Sequence, residues 1–167
     1  MICAFLVSGC ASSPDSASST PKATRSTNVA TANSDDIMFS EMMVPHHEQA
    51  VLMAKLALTN TKETAVLALA KQILAAQKPE IDLMKSWLKM WGIPDGQHAM
   101  LMEGMLTDAE LSALSAARGA TFDQLFLNGM IKHHQGAISM AEAVLANGHN
   151  LEVRQLATNI IGTQKAE

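Results

Sequence analysis

Residues 36–80 and 123–167 align without a gap at a constant offset of 87. An ungapped internal repeat of this length restricts the chain to architectures in which one supersecondary unit is used twice. Asp36, Phe39, Met43, His46, His47, Ala50, Met53 and Ala54 reappear as Asp123, Phe126, Met130, His133, His134, Ala137, Met140 and Ala141. Later matches include Leu58/Leu145, Asn60/Asn147, Val66/Val153, Ile73/Ile160, Gln77/Gln164 and Glu80/Glu167.

Each copy reads as two helices. The first carries a His-His pair, a break falls at Asn60-Thr61 or Asn147-Gly148, and a second helix follows. Asn-Gly is a natural helix stop, and Asn60 with Glu63 has capping-box spacing. Between the copies, Gly92 to Met105 reads as a loop. Thr107-Asp-Ala-Glu110 and Thr121-Phe-Asp-Gln124 both read as capping boxes, so a short helix should precede the second His helix. Two such hairpins bury their apolar stripes most simply as an all-α, antiparallel four-helix bundle with pseudo-twofold symmetry. A length of 167 residues suits one domain, and the absence of Tyr fits a composition dominated by strong helix formers. The second copy stops at Glu167, whereas the first continues through the heavy amphipathic run Ile81–Trp91. The expected bundle is therefore short of one helix end.

The expected organisation has three parts: a signal over 1–10, a disordered tether over 11–34 and the bundle domain over 35–167. Met1 to Val7 is apolar and runs into Ser8-Gly9-Cys10, followed by a Ser/Thr/Ala-rich tract. Leu-Val-Ser-Gly-Cys resembles a bacterial lipobox, in which Cys10 becomes the lipidated first residue of the mature protein. The apolar run is short and has no preceding Lys or Arg, so the true start is expected further upstream. Removal of Cys3 and lipidation of Cys10 would leave the folded domain without a thiol, and so without a disulfide framework or thiolate metal site. The expected location is the cell envelope, periplasmic or extracytoplasmic, with the membrane a partner through the lipid anchor only. No stretch approaches the roughly 20 apolar residues of a membrane span. A net charge of −4 without a Lys/Arg run excludes nucleic acid as the expected partner.

Helical geometry places His46 on the stripe Phe39, Met43, His46, Ala50, Met53, and His47 on the adjacent stripe Val44, His47, Val51, Ala54, Leu58. Glu41, Glu48 and Lys55 mark the opposite face, with Asn128, Gln135 and Glu142 as their counterparts. Both members of each His pair thus face the core, where each ring nitrogen needs a partner. Met43 and Met130 lie one turn before the pairs. Two readings remain open at this point. One is a metal site or proton-linked site. The other is a buried polar network that only fixes packing, with the methionines as ordinary core. His98, Met100, Met102 and Met105 cluster in the inter-repeat loop, as an accessory site or as an apolar cap on the bundle end. His149 is expected to help cap a helix end. Pro45 either opens a helix or interrupts one by lacking an N–H.

Di-iron carboxylate bundles use Glu-x-x-His, which occurs nowhere here, and the acidic residues near the His pairs lie on the polar face. Imidazole and thioether without thiolate favour copper, with Cu(II) drawn to His and Cu(I) to Met. The doubled phrases Met43-Val-Pro-His-His-Glu-Gln-Ala-Val-Leu-Met-Ala54 and Met130-Ile-Lys-His-His-Gln-Gly-Ala-Ile-Ser-Met-Ala141, with the Met102-Glu-Gly-Met105-Leu-Thr linker, resemble the bacterial domain of unknown function 305. The resemblance spans about residues 35–167. It implies a ferritin-like helical fold, export and, from some members, periplasmic copper binding by Met and His in copper tolerance. It implicates Met43, His46, His47, Met130, His133 and His134 as ligands, with Met53 and Met140 as supports. The expectation is a copper-binding envelope protein for buffering, tolerance or transfer, with a second copy of itself or a copper-transfer protein as partner. Copper binding should weaken below about pH 6.5, where imidazole protonates. The alternative is a metal-free helical interaction or structural lipoprotein with buried His networks. No nucleophile motif, phosphate-binding loop or acid/base carboxylate pair points to an enzyme.

Overall fold

The first helix is started by reciprocal hydrogen bonds: Asp36 N–H donates to the Asn33 side chain, and Asn33 N–H donates to the Asp36 carboxylate. The computed structural model describes residues 31–94 and 102–167, and the described residues form five α-helices. They are α1 (Ser34–Asn60), α2 (Thr64–Met90), α3 (Asp108–Ala116), α4 (Gly119–Asn147) and α5 (Leu151–Ala166). None is long and apolar enough to cross a membrane. Cys10, the 1–10 signal, most of the tether, His98 and Met100 lie outside the described residues.

Helix ends follow the repeat. α1 and α4 end on Asn60 and Asn147, and α2 and α5 begin at Thr64 and Leu151, each pair separated by the repeat offset. α1 packs on α2, α4 on α5, and α1 on α4. The α1/α4 crossing is antiparallel: Asn33, just before α1, donates to the Asn147 carbonyl at the end of α4. At the same end the Asp36 carboxylate accepts from the His149 and Asn150 backbone N–H groups. At the other end Asn60 donates to the Ser115 carbonyl of α3. The all-α, ferritin-like four-helix bundle is thus formed by α1, α2, α4 and α5, with α3 on one end.

Local signals behaved unevenly. Thr107 and Glu110 form the expected capping box at α3. Asn60 and Glu63 do not: α1 runs through Asn60, whose amide is taken by α3, and Glu63 itself caps α2 by accepting from Ala65 N–H. Thr121 caps nothing, because the left-handed Gly119 (φ 56°) reverses the chain after α3 and lets α4 begin earlier, after Arg118. Gly148 has φ −73°, so it is not a left-handed stop. It is small because a Cβ there would lie 2.5 Å from the Asp36 carboxylate. Pro45 sits inside α1, where it has no N–H to contribute to the helical ladder. His149 caps no helix with its ring. Asn150 is the N-cap of α5, and the His149 ring accepts from the Asn33 amide instead.

The core divides into two apolar clusters. One joins Phe39, Met43 and Val44 of α1 to Ile81, Met84, Trp87 and Leu88 of α2, to the later half of α4 and to Val153, Leu156, Ala157 and Ile160 of α5. The other joins Ala50, Met53, Ala54 and Ala57 to Val66, Ala70 and Ile73, to Leu106 and Leu114, and to Phe122, Phe126 and Met130. Between Val44 and Ala50, between Met130 and Ala137, between Ile73 and Ile81, and after Ile160, the sequence places polar residues instead. That gap is where the candidate site lies.

Candidate metal centre in a mid-bundle polar layer

Each of the four bundle helices contributes polar side chains at this level. His46 and His47 come from α1, Gln77 and Glu80 from α2, His133 and His134 from α4, and Gln164 and Glu167 from the end of α5 and its C-cap. His46, His47 and His133 are wholly buried, and His134, Gln77 and Gln164 nearly so. The His46 and His133 rings lie against each other across the α1/α4 contact, centroids 3.8 Å apart and tilted by 42°.

All four rings use the same nitrogen, Nε2, for a hydrogen bond. His47 Nε2 is 3.0 Å from a Glu80 carboxylate oxygen, and its repeat counterpart His134 Nε2 is 2.9 Å from Glu167. His46 Nε2 meets the Glu103 carbonyl at 3.2 Å, and His133 Nε2 meets the His46 carbonyl at 2.8 Å. Every one of these partners is a carbonyl or carboxylate acceptor, so each Nε2 carries the hydrogen and donates it. A ring carrying that single hydrogen presents a bare lone pair at Nδ1. All four Nδ1 atoms are buried and have no hydrogen-bond partner, and the same holds for both amide atoms of Gln77 and of Gln164. Buried polar atoms ordinarily find partners, so this concentration in one layer makes it the candidate site.

Burial also sets the charge state. The His46 pKa is lowered to about 3, mainly by burial and further by the neighbouring His47, against the opposing effect of its bond to the Glu103 carbonyl. His133 is held well below 6.5 for the same leading reason, with His46, His47 and His134 adding to it. Both rings stay neutral, hence ligand-competent, at pH values where a free imidazole would be protonated. The general expectation of weakened copper binding below about pH 6.5 therefore moves to lower pH for these two rings.

The loop carrying Met102 to Leu106 closes over the His46 side. Gln49 clasps it from α1: its amide donates to the Leu106 carbonyl at 3.0 Å and its oxygen accepts the Leu106 N–H at 2.7 Å. On the α4 side the loop presses on Gly136, where an added Cβ would fall on the Glu103 carbonyl oxygen and 2.7 Å from its carbon. Gly104, left-handed at φ 86°, leaves only 2.6 Å between a Cβ and the Lys132 carbonyl. Gln49 and Gly136 occupy the same position in the two copies. The repeat therefore breaks its symmetry here, with one copy supplying the clasp and the other the space.

The methionines split around the layer. Met43 is buried in the first cluster with Met140 packed against it, whereas Met53 and Met130 belong to the second. Met102 is buried in the loop and Met105 half-buried. Among the described residues no three His, Cys, Asp or Glu side chains converge as a metal-holding group, so imidazoles and carboxylates alone do not make a ligand set. Sequence reasoning missed Glu80, Glu167, Gln77, Gln164, Gln49 and the Glu103 carbonyl. The first four were visible only as repeat matches, and the duplicated separation of 33 residues between His and Glu was the signal that could have exposed the pairs.

Several solved structures are similar to this chain in fold and sequence. A DUF305 fragment from Deinococcus radiodurans is 32% identical, with a TM-score of 0.75 over 81% of this chain and 91% of that one. A DUF305 protein from Streptomyces coelicolor is 29% identical, with a TM-score of 0.75 over 79% of this chain and 86% of its own. CopM in its Cu(I)-bound form is 35% identical, with a TM-score of 0.66 over 78% of this chain and 88% of CopM. No curated protein matches the chain. Residues 36–167, which contain both His pairs and the loop between them, match the family described as Domain of unknown function (DUF305), and the chain belongs to that family.

Proposed function

We propose that the protein is an exported copper-binding protein, anchored through lipid at Cys10, that holds copper with His and Met side chains for buffering, tolerance or transfer. The observation that carries this reading is the polar layer: four buried imidazoles, each with Nε2 committed and Nδ1 free. Neutral imidazole suits Cu(II) and, together with thioether, Cu(I). The donors suit such an ion in kind. His46, His47, His133 and His134 would supply nitrogen, and Met43 and Met130 sulfur. Met53, Met140, Met102 and Met105 are supporting donors. CopM, seen with Cu(I), Cu(II) and silver, supports the choice of ion, and the Streptomyces coelicolor relative, described as a candidate secreted protein, supports export. Binding is the proposed role; no catalytic step is assigned.

The second reading, a metal-free bundle whose His networks fix packing, draws on the same Nε2 bonds, since each already gives a ring one partner. The two readings separate on one measurement. Replacing His46, His47, His133 and His134 together with alanine should abolish the stoichiometric Cu(I) uptake of the purified domain, with circular dichroism confirming that the helices remain. Unchanged copper stoichiometry and affinity in that variant would sink the copper reading. So would a melting temperature of the native protein that no copper addition raises.

A further inference from the structure

We infer that Glu80 and Glu167 are positioning residues that orient His47 and His134 so that Nδ1, not Nε2, is the metal-ligating atom of each ring. The inference rests on the copper reading above and adds the ligating atom and the groups that select it. A carboxylate only accepts, so the ring nitrogen facing it is the protonated one, and a neutral ring then offers its lone pair from the other side. The two pairs stand at 3.0 and 2.9 Å. In both, the Nδ1 atom is buried and unpartnered. Glu80 retains 16% of its side-chain surface while His47 retains none, and Glu167 and His134 are buried alike at 8% and 7%. Each acceptor thus engages one ring nitrogen and leaves the other buried and without a partner.

Three features distinguish this from an incidental ion pair. The pairing occurs twice, with the same 33-residue separation, on helices related by the repeat. His46 and His133 leave the same nitrogen free, although their acceptors are backbone carbonyls. Four acceptors of two kinds, carboxylate and backbone carbonyl, therefore give one outcome. A carboxylate or carbonyl behind a ligating histidine fixes its tautomer and ring orientation and strengthens it as a donor, and losing such a partner typically weakens metal binding by about 10–100-fold.

The test uses the full chain labelled with 15N and silver(I), a diamagnetic soft ion, as the probe, read by long-range 1H–15N spectra of the rings. Before metal, His47 and His134 should show a protonated Nε2 and a bare Nδ1, and silver should shift Nδ1. Glu80→Ala and Glu167→Ala should each weaken silver and Cu(I) binding by about 10–100-fold with the helical circular dichroism intact. Glu80→Gln, which keeps an acceptor oxygen, should retain most of the affinity. A protonated Nδ1 in the metal-free protein, a silver shift at Nε2, or unchanged affinity in both alanine variants overturns the inference while leaving copper binding as such standing. Silver that perturbs none of the ring nitrogens of the native protein overturns the copper reading itself. The Glu80 and Glu167 pairs are then structural ion pairs and the inference falls with that reading.

Discussion

Gly136→Ala should destabilise the bundle by about 3 kcal/mol, although alanine is the better helix former, because the new methyl group meets backbone and not a movable side chain. The atoms in its way are the Glu103 carbonyl and the Gly104 Cα, and Gly104 is itself so close to α4 that a Cβ on it would lie 2.6 Å from the Lys132 carbonyl. The loop must lift from α4, which strains the paired Gln49–Leu106 bonds and withdraws the Glu103 carbonyl from His46. A loss of this size should lower Tm by on the order of 10 °C. Gly162→Ala is the matched control. Gly162 is an exposed helical glycine in α5 with nothing within 4 Å of its Cβ position. There the same substitution should stabilise by about 0.5–1 kcal/mol, through lower entropy of the unfolded chain and better helix propensity. Thermal melts of the two variants should move in opposite directions. Equal, small shifts would show that the loop is not seated on α4.

Acid should unfold the metal-free protein through the same layer. An unfolded histidine takes a proton near pH 6.5, whereas folded His46 takes one only at about pH 3 and folded His133 well below 6.5. Between these values the unfolded chain binds more protons than the native one, so stability falls as pH falls. The contribution is complete above pH 6.5 and is lost progressively down to the folded pKa. Each ring contributes a slope on the order of 1 kcal/mol per pH unit in that window. Two rings titrating in this window remove a substantial share of a typical margin of roughly 5–15 kcal/mol, so stability should fall steeply below pH 6.5. Urea midpoints measured from pH 8 to pH 4 check this. A flat profile, or one whose slope His46→Gln and His133→Gln leave unchanged, would show that the rings are not held neutral by burial. Bound copper should shift the transition to lower pH, since ligation and protonation compete for the same imidazoles.

Much of the architecture was legible because the signals are local or duplicated. The stripe through Phe39, Met43, His46, Ala50 and Met53 correctly turned the His pairs inward, since helical periodicity depends on residues a turn apart. The Thr107–Glu110 box marked α3 for the same reason. Thr121–Gln124 had the same spacing and failed, because Gly119 reverses the chain two residues earlier and leaves Thr121 inside a helix. Leu58 shows the limit of the stripe argument. It closes the apolar row containing His47 yet is 45% exposed, whereas its neighbour Ala57 is fully buried.

The sequence alone determined the duplication, the inward direction of four imidazoles and the absence of Glu-x-x-His, since each is a matter of residue order and helical period. Only the tertiary structure decided which groups those imidazoles meet. It brings Glu80 to His47 and Glu167 to His134 across helix–helix contacts whose register no period encodes. It also lays the Met102–Leu106 loop on Gly136 and leaves Nδ1 as the free nitrogen of every ring. The physical reason is range: a helix face is set by neighbours within a turn, whereas a ring's partner is set by how whole faces pack.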